Sequence, residues 1–448
     1  MEKKYELTKI KKVINGKTLY RIRAIKDFIT LDDSPVHAGE YGGWVESEEN
    51  LSQEGRCWIF SEAEVSNSAK VSDDACIYGD AEISGNAKIY EFAEVYGNAR
   101  ISDNAEVYGH AQIYDYALVT DNAKIYINAE ISGNAEIHGS AKVYGDARVY
   151  NNAKVYGSAE VTGDTQVFAW AKVFESAKIS GIAEVAGGAQ VYGYAQIYDH
   201  ASVSGDSKIY ESAKVYGNAE VSDDAEVYGN AQVYDNSSVS EDSKVYGRAK
   251  IYDDAKVIFG ASIYDEAIVA GAALVGDDAK IYGHAQIYGH ARVFNAADIS
   301  GDVKIFDRAK ITDHAKVYGN AVIRDMAQVY ENAEVYGDAE ISGDAKIHGN
   351  AHICECAKIS EAADIQQGTY VCTYVSCGPT SKSSPSKAGK QEKLNISNLT
   401  PKEFVNAFDL TNPENVHLLQ DLVSKITKDA RESNITININ IQSGQGKN

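Results

Sequence analysis

From Ala63 to Ala363 every sixth residue is small, and the second residue after it is aliphatic. This spacing holds at fifty-one positions without an insertion. Alanine occupies all of them except Thr165, Ser207, Ser237, Ser243 and Val303, and the aliphatic partners, Val65 through Ile365, are always Val or Ile. Cys57-Trp58-Ile59 extends the register backwards and Thr369-Tyr370-Val371 extends it forwards. Strand side chains alternate between faces, so Ala-x-Val puts two small or β-branched residues on one side of a short extended segment. The next positions are rich in Gly, Asn and Asp, as in Tyr96-Gly97-Asn98. Those residues accept positive φ and make tight turns. Each phrase therefore predicts a short strand followed by a corner.

The residue after each aliphatic position repeats on a longer period. Ser204, Ser222 and Ser240 are eighteen apart, as are Tyr198, Tyr216, Tyr234 and Tyr252. The same spacing joins Tyr192, Tyr210, Tyr228, Tyr246, Tyr264 and Tyr282. A coil of three phrases explains this, because like residues then lie directly above one another on a parallel ladder. The sequence thus predicts an all-β, single-stranded parallel β-helix, a triangular prism with eighteen residues per coil and about 17 coils. At roughly 4.8 Å per rung it would be about 80 Å long. Proline is absent between 36 and 378, as expected where nearly every backbone N–H bonds to a neighbouring rung. Ala, Val and Ile fill the interior, so function is expected on the outside or at the ends.

The pattern Ala-x-[Val/Ile]-x-[Gly/Asp]-[Asn/Asp] resembles the hexapeptide repeat of the left-handed β-helix superfamily, and that resemblance implies the left hand. A second likeness covers residues 24 to 63. Asp27-Phe28, Ala38-Gly39, Gly42-Gly43-Trp44-Val45, Asn50-Leu51-Ser52, Gly55 and Cys57-Trp58-Ile59 resemble the opening segment of YdcK-like hexapeptide proteins. The superfamily is best known for trimeric acyltransferases, which usually extrude a loop from the coil and use a His beside a subunit boundary. This chain has no extruded loop from 63 to 363. A fold shared by many chemistries names no reaction.

The ends differ from the repeat. Residues 1–56 read as an N-terminal β cap with a hairpin around Asn15-Gly16 over residues 5 to 26. This piece would cap the first coil of the repeat domain, 57–376, and block end-to-end strand pairing. Residues 377–393 read as a flexible linker. Residues 394–448 read as a small helix-helix-strand module. Thr400-Pro401-Lys402-Glu403 and Asn412-Pro413-Glu414 are helix starts. Val416, Leu419, Leu422 and Ile426 form an apolar stripe, and Ile435, Ile437, Ile439 and Ile441 form one face of a strand. A lone strand needs a partner, so this module is expected to drive homo-oligomerisation.

Net charge is −22 over 448 residues. Many Asp residues fall in corner slots, where turn chemistry requires them, and one outward column carries Lys70, Lys88, Lys124, Lys142, Lys178, Lys214 and Lys250. Six Cys are too sparse for a disulfide framework. Cys354 and Cys372, eighteen apart, would be stacked neighbours within disulfide reach, or could share a soft metal with His352. The spacing fits no zinc template, and neither a metal nor a cofactor is assigned. His284 and His290, in adjacent phrases, are the weak candidates for catalysis. Two places break the polar exterior: Phe168, Trp170 and Phe174, and a belt of Ile258, Phe259, Ile268 and Leu274. With no apolar run of membrane-spanning length and no secretion-signal core at the start, a cytoplasmic protein is expected. Nucleic acid and membrane are not expected partners. The reading is a non-catalytic β-helical scaffold or binding protein, its protein partner unnamed. The rivals are a trimeric acyltransferase and an acidic surface that sequesters or mimics a nucleic-acid partner.

Overall fold

The computed structural model describes residues 3–14, 16–31, 33–371 and 374–377, without the side chains of 371 and 374–377. The linker and the C-terminal module predicted for 377–448 lie outside these residues, as do Cys372 and the Val416 to Ile441 set, apart from the backbone of Cys377. The chain divides into two compact units, 1–260 and 261–448. Each is all-β over its described residues, and together they make about 18 turns of parallel β-solenoid.

In the first unit the phrases are two-residue strands joined by corners, as the alternation predicts. Each strand pairs in parallel with those eighteen residues before and after it. Glu64–Val65 pairs with Glu82–Ile83, which pairs with Arg100–Ile101. Lys70–Val71 pairs with Lys88–Ile89, and Cys76–Ile77 pairs with Glu94–Val95. These are three separate stacks, one per side of the coil. The rung-to-rung bonds are short and regular: Glu64 N–H donates to Ala81 O at 2.8 Å and Ser66 N–H to Ile83 O at 3.0 Å. Inside, the Ala and Val/Ile positions are buried almost without exception. The polar substitutions are buried too. Ser207 and Ser237 donate back to the carbonyls of Ser204 and Tyr234, both at 2.7 Å, whereas the hydroxyls of Thr165 and Ser243 have no partner.

The N-terminal cap grows out of one of these stacks. β1 (Tyr5–Ile14) and β2 (Lys17–Ala24) form the antiparallel hairpin. β3 (Phe28–Ile29) and β4 (Pro35–Val36) pair with each other. β2 pairs with β5 (Tyr41–Val45), and β5 lies parallel to Glu64–Val65. The Gly42-Gly43 pair is explained by close approach. A Cβ at Gly42 would sit 2.6 Å from Ile59 O, and one at Gly43 would sit 2.5 Å from Ile59 Cγ2. Trp58 occupies an outward slot but is buried, with the edges of Tyr5 and Phe28 against it at 6.2 and 5.3 Å. β1 carries a register irregularity between Leu7 and Lys11 and exposed lysines at 9 and 11. Both features discourage pairing along a free strand edge.

The second unit repeats the same three stacks, with Ser262–Ile263 on Lys280–Ile281, Ile268–Val269 on Gln286–Ile287, and Leu274–Val275 on Arg292–Val293. Its last coil departs from the sequence expectation. The strand Lys346–Cys354 pairs with Asp364–Val371, and the register shifts by one residue after Ile347. Ala351 faces Gly368 and Ile353 faces Tyr370. The last coil thus has seventeen residues here, and Thr369-Tyr370-Val371 does not continue the phrase in register. A one-residue slip exchanges inward and outward positions. It also sets Cys354 opposite Val371. Cys354 is a free thiol with its Sγ 3.4 Å from Tyr370 O, so of the two roles its spacing left open, the disulfide with Cys372 is not formed. Cys356 is disulfide-bonded.

Candidate interaction surface

The outward side chain after each aliphatic position stands half-buried against its counterpart one coil away. In the first unit His138, Tyr156, Phe174, Tyr192, Tyr210, Tyr228 and Tyr246 form one continuous ladder. Successive ring centroids are 4.8 to 5.0 Å apart and the planes differ by at most 9°. A second stack carries Tyr90, Tyr108, Tyr126 and Tyr144, and higher up Tyr198, Tyr216, Tyr234 and Tyr252. In the second unit Tyr264 stacks on Tyr282 and Tyr318 on Tyr336, each at 4.8 Å. Ring faces within a ladder are occupied by other rings, so the ladders turn edges and hydroxyls outward. Tyrosine suits this slot because its body packs while its tip stays polar. Tyr210 Oη donates to Glu226 Oε2 at 3.2 Å and Tyr216 Oη lies 3.3 Å from Gln232 Oε1. Burial, reinforced by neighbouring carboxylates and phenols, pushes the phenols of Tyr90, Tyr96, Tyr126 and Tyr234 up to about 12.

The corners explain much of the negative charge. The corner Asp residues at 73, 103, 115, 199, 223, 235, 253, 265, 277 and 307 all have φ between 53° and 59°. Several use their carboxylate to hold the next coil. Glu91 N–H donates to Asp73 Oδ2 at 3.1 Å, Gly109 N–H to Glu91 Oε2 at 2.9 Å, and Gly283 N–H to Asp265 Oδ2 at 3.1 Å. Asparagines one position further on form amide ladders, as Asn86 to Asn104 at 3.0 Å and Asn104 to Asn122 at 3.3 Å. Acids interrupt the lysine column at two rungs: Glu106 lies between Lys88 and Lys124 at 3.0 and 2.8 Å. Hydrogen bonds from Lys124 and Lys88 hold the Glu106 carboxyl below its ordinary value. Glu160 sits between Lys142 and Lys178 in the same way, at 3.2 Å from each.

The sites expected from sequence fall in different places. Phe168 stacks on Tyr150 at 5.0 Å, and Phe174 stacks between Tyr156 and Tyr192. The strands preceding them belong to different stacks, and Trp170 projects from the intervening corner, 66% exposed. Of the apolar belt, Ile258 is half-buried and Phe259 is 53% exposed in the first unit. Ile268 and Leu274, in the second, are half-buried. His284 has Glu266 at 3.5 Å and Asp302 at 3.4 Å, on the coils before and after it. His290 is on another corner, its backbone N–H bonded to Asp307 O at 2.6 Å. His352 pairs with Glu334 at 3.3 Å. Among the described residues no group of three or more His, Cys, Asp and Glu could hold a metal, and no helix is long and apolar enough to cross a membrane.

Two features escaped the sequence reading. Ile127, 46% exposed, has φ 63°, and Phe259 has φ 53°. Bulky or β-branched residues are outliers in that region. An apolar residue in a slot otherwise filled chiefly by Gly, Asp, Asn or Glu was the available signal. Lys4 is buried, and its ammonium donates to the carbonyls of Glu54, Gly55 and Cys57 and lies 3.2 Å from Cys57 Sγ. No local pattern marks it. Burial pulls the Lys4 amine down and pushes the Cys57 thiol up.

No curated protein matches the chain. Residues 285–301, just under one coil of the second unit, are similar to a family described as the YdcK β-solenoid repeat, which agrees with a β-helix repeat protein.

Proposed function

We propose that the protein is a non-catalytic β-solenoid scaffold or binding protein of YdcK-like kind, self-associating through residues 394–448. The observation that carries this reading is the spending of outward side chains on repetition. Rings stack on rings, corner carboxylates hold the next coil, and Glu106 and Glu160 each bridge a pair of lysines. Catalysis needs several groups converging on one reacting atom at hydrogen-bond distance. The ladders distribute chemistry along the solenoid instead. The aromatic edges, with exposed corners such as Trp170 and Phe259, supply contact surface for a protein partner.

The rival acyltransferase reading separates cleanly. Full-length protein is incubated with acyl-CoA and a panel of amine and hydroxyl acceptors, and free thiol release is followed. The scaffold reading expects none above the buffer rate. Turnover that His284→Ala or His290→Ala abolishes would overturn it. Affinity capture of an interacting protein, weakened by Trp170→Ala, is the positive counterpart.

A further inference from the structure

The tyrosine ladders place phenols in a relation that a scaffold does not require. In the first unit Tyr198, Tyr216, Tyr234 and Tyr252 are stacked in sequence at 4.8 to 5.0 Å, with planes within 10°. Tyr90, Tyr108, Tyr126 and Tyr144 repeat the arrangement at 4.7 to 4.9 Å. All are half-buried and stack on the rings of adjacent rungs. We propose that these ladders are oxidative cross-linking sites, in which tyrosines eighteen positions apart couple to dityrosine and staple successive coils. The inference stands on ladder geometry and is independent of whether the protein is catalytic.

The chemistry balances with hydrogen peroxide and a peroxidase as oxidant. Each of two neighbouring tyrosines loses one electron and its phenolic proton, giving two phenoxyl radicals with spin on oxygen and on the ring carbons beside it. A carbon–carbon bond forms between one such carbon of each ring. The two hydrogens on those carbons leave and restore the two hydroxyls. Two electrons and two protons have gone to peroxide, which becomes two waters. The ladder favours this outcome through proximity. A radical on one ring finds a phenolic partner one rung away, held there rather than met by diffusion. Within the proposed ladder the Tyr216 hydroxyl already donates a hydrogen bond to Gln232 Oε1, and in a neighbouring ladder the Tyr210 hydroxyl donates to the Glu226 carboxylate, a group able to accept its proton. The bond requires the stacked rings to slip and tilt towards each other, which half-exposed side chains can do without moving the rungs. Each bond closes an eighteen-residue loop, a constraint felt mainly by the unfolded chain.

Exposure alone predicts something different. Tyr116 and Tyr194 are the most exposed tyrosines among the described residues, at 65% and 71%, and both stand at corners outside the ladders. If accessibility governs the reaction, they couple first and between molecules. Phe174, Phe168 and Phe306 interrupt ladders with a ring that has no phenol, and no cross-link should involve those rungs.

The test treats dilute full-length protein with a peroxidase and hydrogen peroxide. The monomer fraction is then examined for dityrosine fluorescence and for linked peptides by mass spectrometry. The expected result is fluorescence on the monomer, loss of two hydrogens per bond, and peptides joining Tyr198 to Tyr216 or Tyr90 to Tyr108. The double variant Tyr216→Phe with Tyr234→Phe keeps the stack and the fold, checked by circular dichroism. It should abolish links in its own ladder and spare those of Tyr90 to Tyr144. Cross-links confined to Tyr116 and Tyr194, links only between molecules, or undiminished Tyr198 or Tyr252 links in the double variant would each overturn the proposal.

Discussion

Removing one ring from the middle of a ladder should cost more than removing any other half-exposed side chain. Tyr210 stacks on Tyr192 at 5.0 Å and on Tyr228 at 4.8 Å, and its hydroxyl reaches Glu226. An aromatic pair adds about 0.5–1.5 kcal/mol beyond the area it buries, so two pairs contribute about 1–3 kcal/mol. The hydrogen bond contributes about 0.5–1 kcal/mol in a half-exposed setting. Tyr210→Ala should therefore destabilise by about 1.5–4 kcal/mol on these two contributions. Tyr210→Phe keeps both stacks and should lose only the hydrogen-bond part, as Phe174 already does within the same ladder. Tyr194→Ala removes an exposed corner ring and should stay within about 0.5 kcal/mol of wild type. Tyr198, with one ring neighbour in its ladder, should fall between. Urea unfolding followed by circular dichroism gives the global effect. Hydrogen exchange of the amides from 208 to 228 gives the local one, since coils of a repeat array can open piecewise. If Tyr210→Ala costs no more than Tyr194→Ala, the ladders are decoration. If Tyr210→Phe costs as much as Tyr210→Ala, the hydroxyl rather than the stack holds the rungs.

Ile127→Asn should stabilise the first unit by up to about 1 kcal/mol, because a left-handed conformation costs an L-residue about 1–2 kcal/mol and asparagine bears it better; a fall in the urea midpoint would show that the apolar contacts of Ile127 outweigh its strain. Lys4 has its amine pulled below the ordinary lysine value of 10.5. The unfolded chain therefore binds more protons between the two values, and stability should rise with pH approaching 10.5. Cys57, its thiol raised above 9.0, works in the opposite direction above that pH. The raised ladder phenols oppose this rise, so it is read as the stability difference between Cys57→Ala and the double variant with Lys4→Met, which cancels them. That difference should grow with pH, and a difference that does not change with pH would refute a buried ammonium. Glu106, lowered between two lysines, contributes stability above its unfolded value that is lost as pH falls through the folded one. Glu106→Gln should therefore flatten the acid limb of the unfolding profile, and an unchanged limb would count against the ion-pair column. Deleting 394–448 should lower the oligomer mass in light scattering by reducing the number of chains per particle, and an unchanged number of chains would remove that segment from any role in self-association.

The period-six and period-eighteen patterns determined the strand stacks, the filled interior and the aromatic ladders. The reason is that the relevant forces are local and repeated: alternation chooses the inward face, turn residues choose the corner, and like-on-like stacking chooses three sides. The N-terminal hairpin was legible from its turn, and the corner role of Asp from its slot. Tertiary structure decided the rest. Only pairing in three dimensions gave the coil after Ile347 seventeen residues, displacing Cys354 from the position its spacing implied. Only packing put Trp58 under Tyr5 and Phe28 and drew Lys4 into contact with Cys57, fifty-three residues on. Those contacts join segments with no shared period, and a repeat can announce only what it repeats.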